Sequence, residues 1–434
     1  MVSPITTALV HLWGQPVGAV AWLADRDCAA FEFEPAFLGS GRDIAPLTMP
    51  LASGPGSVFT FPALPRVTFM GLPGLLADAL PDKFGNAVID AWLVRQGRTA
   101  SDFNPVERLC YTGLRGMGAL EFEPAHNRHL KRAVPIEIAD LVELARAVTS
   151  ERTRLDTQFG RGERPNEEAL RDILRVGTSA GGARAKAVIA LNEQGHVLSG
   201  QGPIPAGYDY WLLKFDGVTD LELGGTQGYG RVEYAYSRMA QAGGIIMSAC
   251  RLLHENGRAH FLTKRFDRVG HEKRHMQSLC GIAHYDYNAP GAYSYEQAFE
   301  VMRRLRLPKS DAIQQYRRML FNVIARNQDD HTKNIAFLMD PDGRWHLAPA
   351  FDLIYAHNPG GRWTQQHQMT INGKRDHFTR EDLLTVGASL GIARPQHLLE
   401  EMVDAVSTWP TVAREAGVEP RRIAEIGRAL RLTW

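Results

Sequence analysis

Three polar side chains have types and a spacing suited to phosphoryl transfer. Asp329 and Asn334 stand five residues apart within the segment Asn-Gln-Asp-Asp-His-Thr-Lys-Asn at 327–334, and Asp352 follows them. Phosphoryl transfer needs a carboxylate that accepts the proton of the attacking hydroxyl and oxygen ligands that hold Mg²⁺ on the phosphates. A D-x-x-x-x-N spacing is typical of that chemistry. It predicts Asp329 as catalytic base and Asn334 and Asp352 as magnesium ligands.

The surrounding sequence predicts the elements that must position these groups. Apolar residues spaced by three and four over 313–324 predict an amphipathic helix before the loop. A strand at 335–338, an Asp-Pro-Asp-Gly turn at 340–343 and a return strand at 345–350 are expected after it. Such a hairpin would bring Asp352 back to the loop.

This segment has two other interpretations, a polar loop and a metal hydrolase. An Asp-Asp-His run is often a plain polar loop, and the five-residue spacing alone favours that reading. The helix before the loop, the hairpin after it and Asp352 at the return together favour chemistry. A metal hydrolase would need a second cluster of His or carboxylate residues at metal-binding spacing, which the sequence lacks.

A second region could hold a nucleotide. Residues 176–186 are rich in small side chains, which let backbone N–H groups approach phosphate oxygens, but they form no Walker A motif. A flexible turn explains the same residues. Lys214 ends an apolar strand at 210–215, where it could bind ATP phosphates with Glu233 as ion-pair partner, or extend outward to water.

Bulk composition limits the class of protein. Lys+Arg is 49 and Asp+Glu is 48, which argues against a chain built mainly to coat nucleic acid. The four cysteines form no CxxC pair, so a zinc site is not expected, and scattered cysteines fit a reducing compartment. No signal peptide and no apolar run long enough to span a bilayer is evident. We expect a cytoplasmic protein without a membrane contact.

The distribution of strands and helices predicts the fold class. Residues 1–124 are expected to form strands and turns, with a hairpin at the Gly-Gln-Pro turn of 14–16 and a helix at 84–95. The charged, Arg-rich stretch that follows is expected to form a helix at 136–149 and a loop at 151–168. Strands are expected again at 187–191, 210–215 and 260–265, with a helix near 232–241, and helices dominate from about residue 290. This order predicts an α/β two-lobed protein-kinase-like fold with a strand-rich N-terminal lobe, an extra N-terminal subdomain and a mostly α-helical C-terminal lobe. The expected domains are 1–124, 125–264 with the Gly-rich loop, and 265–434 with the catalytic loop.

Together these segments resemble the HipA family of serine/threonine protein kinase toxins. The resemblance covers nearly the whole chain, and the Arg-Phe-Asp-Arg and Asp-Asp-His-x-Lys-Asn pieces are its most specific parts. The matching stretches are 76–82, 116–120, 179–186, 211–214, 264–268, 327–334, 347–353 and 369–374.

The resemblance implies a kinase that uses ATP and Mg²⁺ and acts as a growth-inhibiting toxin of a type II toxin-antitoxin pair. It implies a HipB-like DNA-binding antitoxin, DNA contact only through that complex if at all, and an aminoacyl-tRNA synthetase as the protein substrate. By residue matching, Asp329 is the base, Asn334 and Asp352 hold metal, and Ser179 is the autophosphorylated serine. The implied ATP contacts are Gly181, Gly182, Ala183, Arg184, Ala185, Lys186, Lys214, Lys264, Arg265, Phe266, His331, Thr332, Lys333 and Asn334.

Two alternatives to a toxin kinase stay open at this point. A kinase-fold enzyme could phosphorylate a small molecule, and an inactive kinase fold could serve as a binding module. The second is disfavoured because Lys214, Asp329, Asn334 and Asp352 are all present.

Overall fold

The computed structural model describes residues 5–81, 85–86, 89–90, 103–124, 137–139, 141–142, 145–146, 185–200, 202–218 and 228–434. The chain divides into two units. The first contains Met1–Asp43, Met49–Gly230 and Arg251–Met276, and the second contains Ile44–Thr48, Arg231–Cys250 and Gln277–Trp434. Among the described residues, no helix is long and apolar enough to cross a membrane.

The strands are β1 (Thr7–Leu12), β2 (Gln15–Leu23), β3 (Cys28–Phe33), β4 (Val58–Thr60), β5 (Leu120–Glu123), β6 (Lys186–Asn192), β7 (Val197–Ser199), β8 (Tyr208–Lys214), β9 (Cys250–Glu255), β10 (Arg258–Lys264), β11 (Arg268–Val269), β12 (Glu272–Lys273), β13 (His275–Ser278), β14 (Ala336–Met339) and β15 (Trp345–Leu347). The α-helices are α1 (Pro35–Leu38), α2 (Arg66–Phe69), α3 (Gly74–Ala77), α4 (Pro105–Thr112), α5 (Tyr229–Ala242), α6 (Leu279–Ala283), α7 (Tyr295–Arg304), α8 (Lys309–Ile324), α9 (Arg380–Ser389), α10 (Pro395–Ser407), α11 (Trp409–Glu415) and α12 (Pro420–Ala429).

The N-terminal part of the first unit is an antiparallel sheet. Its strand order is β4-β3-β2-β1-β5. β1 and β2 form the hairpin that the Gly-Gln-Pro turn predicts, and both residues of the Trp13–Gly14 corner have positive φ. Alternate residues of β1 are buried, as expected for a strand with one face on a core.

A second sheet in the same unit, with strand order β7-β6-β8-β10-β9, confirms the predicted strands near 187–191, 210–215 and 260–265. Successive side chains of a strand point to opposite faces. The odd-numbered residues of β6 and β8 join one hydrophobic core: Ala187, Ile189, Leu191, Trp211 and Leu213, packed with residues from α4 and from 138–145. The even-numbered residues therefore lie on the other face.

Helices contain far more residues than strands in the second unit, as predicted from residue 290 onward. Helix α8 follows Pro308, carries Asp311 in its first turn, and buries most of its second half. Two capping boxes fix neighbouring helix starts, with Ser294 before α7 and Thr379 before α9. The expected helix near 232–241 is α5, whose first turn contains the boundary between the units.

The predicted helix–loop–hairpin arrangement is confirmed in the second unit. β14 pairs antiparallel with β15, so that Phe337 faces Leu347 and Met339 faces Trp345. The turn between them is closed by Asp340, whose Oδ1 accepts hydrogen bonds from the backbone N–H groups of Asp342 and Arg344. Most of the helix expected at 84–95 and half of the helix expected at 136–149 fall outside the described residues, and the loop expected at 151–168 falls wholly outside them.

Candidate active site

The loop at 326–334 is held in place by backbone pairing. After α8 ends, Arg326 takes a left-handed conformation with φ of 56°, and the Asn327 N–H donates to the Asn322 carbonyl. The loop then pairs with the chain beyond Asp352, because the Gln328 N–H donates to the Ala356 carbonyl and the Ala356 N–H donates to the Arg326 carbonyl. Asp352 is thereby returned to the loop, as the hairpin predicts.

The adjacent residues Asp329 and Asp330 have opposite environments. The Asp330 side chain is 1% exposed, and its carboxylate accepts hydrogen bonds of 2.8 Å from Tyr295 Oη, from His367 Nδ1 and from the Gln368 backbone N–H. The Asp329 side chain is 42% exposed and its Oδ1 accepts a 2.7 Å bond from Trp363 Nε1. Only Asp329 keeps accessible surface on its carboxylate.

The electrostatics of the two carboxyls differ in the same sense. Desolvation raises the pKa of Asp329, the His331 ring and the Trp363 N–H act against this rise, and Asp352 and Asp330 add to it. Because much of the side chain is exposed, solvent partly screens these effects. Burial alone would raise the pKa of Asp330 too, but His367 and the three hydrogen bonds hold it below its usual range. Asp330 therefore stays an acceptor for the loop, whereas Asp329 gains proton affinity.

Asn334 and Asp352 line one cavity of the second unit, together with Asp330 and His331. The Asn334 Nδ2 group donates to the Asp329 carbonyl at 2.8 Å, which turns the amide so that its Oδ1 is left for a ligand. Asp352 lies at a left-handed backbone position with φ of 54°. It lines the same cavity as Asn334, and its charge adds to the rise in the pKa of Asp329.

This pair of oxygen donors fits Mg²⁺. Within the described residues, no three His, Cys, Asp or Glu side chains form a metal cluster. Magnesium commonly takes one or two protein ligands and fills its other positions with phosphate oxygens and water. One carboxylate from Asp352 and one amide oxygen from Asn334 meet that requirement.

Two lysines in the first unit lie directly opposite each other. Lys186 of β6 and Lys214 of β8 are register partners, 3% and 8% exposed, on the sheet face away from the hydrophobic core. Lys214 Nζ also lies 5.8 Å from the centre of the Phe261 ring. The register thus places two buried basic side chains side by side on one face of the sheet.

The Arg-Phe-Asp-Arg segment forms a buried joint. Asp267 is fully buried, and its carboxylate pairs with the guanidinium groups of Arg265 and Arg268 and accepts the Gly118 N–H. Burial alone would raise the pKa of Asp267, but the two arginines hold it well below its usual range. Gly118 is needed here because its φ is 75° and an added Cβ would lie 3.0 Å from the Met276 nitrogen.

This joint changes the role expected of Arg265. Its guanidinium is 3% exposed and also donates to the Gly116 carbonyl, so the side chain is committed to the interior. Arg265 is therefore not expected to contact a nucleotide. Lys264 is more open and pairs with Asp209 at 2.7 Å.

The other implied nucleotide contacts fall into two groups. The Thr332 hydroxyl is buried and donates to the Tyr285 carbonyl at 2.7 Å, whereas His331 and Lys333 approach the Tyr287 ring at 5.4 Å and 5.2 Å. Thr332 thus anchors its loop, and His331 lies beside the predicted base. The predictions for Ser179 and for 181–184 lie outside the described residues, while Ala185 is buried beside β6.

Several residues of this site were missed by the sequence reasoning. They are Tyr295, Trp363, His367 and Gln368. Each contacts a residue of the loop at 327–334 that lies 34 to 40 positions away in the sequence. The only local signal was the polar run at 365–368 immediately before the segment 369–374. Such a run gives no periodicity from which a contact could be inferred.

Comparison with known proteins bears on the whole chain. A solved structure of the Shewanella oneidensis HipA, HipB and operator DNA complex contains a chain similar to this one. The TM-score is 0.66, and the sequences are 17% identical over 97% of this chain and 94% of that one. This likeness confirms the predicted two-lobed protein-kinase-like fold. A Helicobacter pylori kinase, CtkA, matches at a TM-score of 0.33 and 12% identity over 58% of this chain and 94% of that one.

Sequence comparison gives two further findings. A Sinorhizobium fredii protein named "Putative kinase Y4mE" is 28% identical to this chain over 153 residues. The match covers 33% of this chain and 34% of that protein. The family description "HipA N-terminal domain" matches residues 8–123, and "HipA-like C-terminal domain" matches residues 178–425, more than half of the chain. The chain belongs to the HipA family.

Proposed function

We propose that this chain is an ATP- and Mg²⁺-dependent serine/threonine protein kinase and acts as the toxin of a toxin-antitoxin pair. One observation carries the proposal: of two adjacent aspartates, Asp330 accepts three internal hydrogen bonds and is buried, while the Asp329 side chain is 42% exposed. Asn334 and Asp352 line a common cavity at the end of the same loop. A base and two oxygen ligands are the protein groups that phosphoryl transfer needs.

The proposed mechanism uses these groups in one displacement. The substrate hydroxyl donates its proton to Asp329 while its oxygen forms a bond to the γ-phosphorus, and the bond from that phosphorus to the bridging oxygen breaks, releasing ADP. Bound Mg²⁺ would neutralise charge on the phosphate oxygens. Asn334 and Asp352 would hold the ion, and Asp330 keeps the loop backbone in position through its own hydrogen bonds.

The phosphates of the nucleotide would contact Lys186 and Lys214. Lys186 and Lys214 are register partners on one sheet face, and two positive charges there would suit a phosphate group. Their burial excludes water, which strengthens an interaction with phosphate. Ala185, Lys264, Phe266, His331 and Lys333, with the Gly-rich loop at 181–184, complete the proposed nucleotide contacts.

A phosphate-transfer assay with purified protein tests the function. The chain would be incubated with Mg²⁺ and γ-labelled ATP, alone and with a cell extract as acceptor. Asp329→Asn should lose transfer by about 10²–10⁴-fold, the usual contribution of a general base, while still binding ATP. Asp342→Asn is the matched control, because Asp342 lies on the exposed hairpin turn with 74% side-chain exposure. Equal activity of the Asp329 variant and the wild type would refute the proposal.

The partner and substrate are further parts of the proposal. The similar Shewanella oneidensis chain is titled as part of a complex with HipB and operator DNA, which supports a HipB-like antitoxin here and DNA contact only through that partner. Such a complex would operate in the cytoplasm. Co-purification with a small DNA-binding protein encoded beside this gene is the test. Isolation of the chain without such a partner from its native cells would contradict it.

An aminoacyl-tRNA synthetase is proposed as the substrate from the family resemblance. Phosphoproteomics of cells expressing the wild type or Asp329→Ala should show one synthetase phosphorylated only by the wild type. Label that appears on a small molecule and on no protein would favour the small-molecule kinase.

A further inference from the structure

A segment beyond the hairpin returns to the predicted base. The Trp363 indole Nε1–H donates to Asp329 Oδ1 at 2.7 Å, across a separation of 34 residues. His331 Nε2 approaches the same oxygen but stays at 3.9 Å, beyond hydrogen-bond distance. The indole therefore makes the side-chain hydrogen bond to this carboxylate, and it does so at one of the two oxygens.

The position of Trp363 is itself fixed by a buried amide. Gln368 is 3% exposed, and its Nε2 group donates to the Trp363 carbonyl at 2.6 Å and to the Gln328 carbonyl at 3.1 Å. The Gln368 backbone N–H donates in addition to Asp330 Oδ1 at 2.8 Å. One residue thus ties the backbone of Trp363 to both neighbours of Asp329 in the chain, so the indole and the carboxylate belong to one connected network.

A carboxylate base works best when one lone pair is aimed at the acceptor hydroxyl. The terminal torsion of an Asp side chain is broad, so an unrestrained carboxylate samples many orientations. A donor fixed on Oδ1 restricts that rotation and leaves Oδ2 for the incoming proton. Orientation of this kind contributes to rate because small misplacements of reacting groups slow the reaction.

We propose that Trp363 is a positioning residue for phosphoryl transfer, and that its indole N–H orients the Asp329 carboxylate so that Oδ2 receives the hydroxyl proton. This inference rests on the proposed kinase function. It assigns Trp363 no contact with the nucleotide, so its effect belongs on kcat and not on the KM for ATP.

The test compares two substitutions that both replace the indole with a smaller ring, of which only one retains a ring N–H donor. Trp363→Phe removes the N–H group, and Trp363→His keeps a ring N–H group. We expect kcat to fall about 10- to 100-fold in Trp363→Phe, the size of a lost hydrogen bond to a charged group, with KM for ATP within twofold. Trp363→His should recover part of that loss. Trp434→Phe is the control, because its indole donates to the Arg431 carbonyl instead.

Three results would overturn the inference. One is a Trp363→Phe enzyme with the wild-type kcat, and another is an equal loss in the Phe and His variants, which would make ring size the cause. A wild-type chain without any transfer would contradict the proposed function first and the inference with it. An active wild type with an unaffected Trp363→Phe would contradict the inference alone.

A measurement that needs no change at Trp363 covers the case of an unstable variant. The indole ¹⁵N–¹H resonance of Trp363 should shift upfield, and its proton should exchange faster with water, when Asp329→Ala removes the acceptor. The Trp434 resonance should stay where it is. An unmoved Trp363 resonance would overturn the inference whatever the activity data show.

Discussion

Asp329 and Asp330 should respond to removal in opposite ways. Asp330→Ala takes the acceptor from three groups: the Tyr295 hydroxyl, His367 Nδ1 and the Gln368 N–H. A buried donor left unsatisfied costs about 1–3 kcal/mol, and broken buried polar pairs cost about 3–5 kcal/mol. We expect Asp330→Ala to destabilise the second unit by about 3–5 kcal/mol. Asp329→Ala should cost about 1 kcal/mol, because it loses one bond at an exposed side chain.

The assay is thermal and urea unfolding of both variants beside phosphate transfer. A loss of 3–5 kcal/mol should lower the melting temperature by about 10 °C for a unit of this size. Asp329→Ala should melt near the wild type yet lose activity, whereas Asp330→Ala should melt well below the wild type and lose transfer through unfolding and through displacement of the loop backbone. An Asp330→Ala variant as stable as the wild type, or an Asp329→Ala variant with normal transfer, would refute the division of roles.

The pH dependence of the same melting temperature provides a second check. The folded pKa of Asp330 lies below its unfolded value, so its carboxylate stabilises the fold above about pH 4 and loses that contribution as the pH falls. The wild type should therefore lose more stability than Asp330→Asn as the pH falls from about 5 to about 2, because the amide of the variant does not titrate. Parallel curves would mean that the charge on Asp330 contributes nothing.

The remaining predictions concern the metal, the nucleotide, the joint and the Gly-rich loop. Asn334→Ala and Asp352→Ala should each raise the Mg²⁺ concentration needed for half-maximal transfer at least tenfold, and superimposable magnesium titrations would contradict this. Lys214→Met should weaken ATP binding about 10- to 100-fold in calorimetry, because the ammonium that would pair with the phosphates is replaced by an apolar chain of similar length, and an unchanged Kd would contradict the proposed phosphate contact. Asp267→Asn should destabilise the first unit by about 3–5 kcal/mol in urea unfolding, since two buried arginines lose their counter-charge, and an unchanged midpoint would argue against the joint. After incubation with Mg²⁺ and ATP, phosphosite mapping should find phosphate on Ser179. A phosphate there would add about −1.5 to −2 charges, which would repel ATP and so inhibit the kinase. An unmodified Ser179 would contradict this self-inhibition.

Local sequence patterns determined the elements around the site. The helix before the loop follows from apolar spacing at three and four, and the hairpin follows from an Asp-Pro-Asp-Gly turn between apolar strands. Both signals arise from interactions within a few residues, so they survive in the sequence. The five-residue spacing of Asp329 and Asn334 is local in the same way, and it was enough to identify the candidate loop.

Tertiary structure decided which side chains of that loop are available. Nothing in the sequence separates Asp329 from Asp330, because the difference comes from Tyr295, His367 and Gln368, which lie 35 to 38 residues away. The commitment of Arg265 to a buried joint depends likewise on Gly116, 149 residues earlier.

Strand register determined in the same way which side chain lies opposite Lys214. From the sequence, Lys214 is expected only at the end of one apolar strand, and it is the pairing of β6 with β8 that puts Lys186 opposite it on the same face. A shift of one residue would have moved one lysine to the hydrophobic core. Short-range periodicity thus determined which elements form, while contacts between residues distant in the chain decided which charges are buried, paired or exposed.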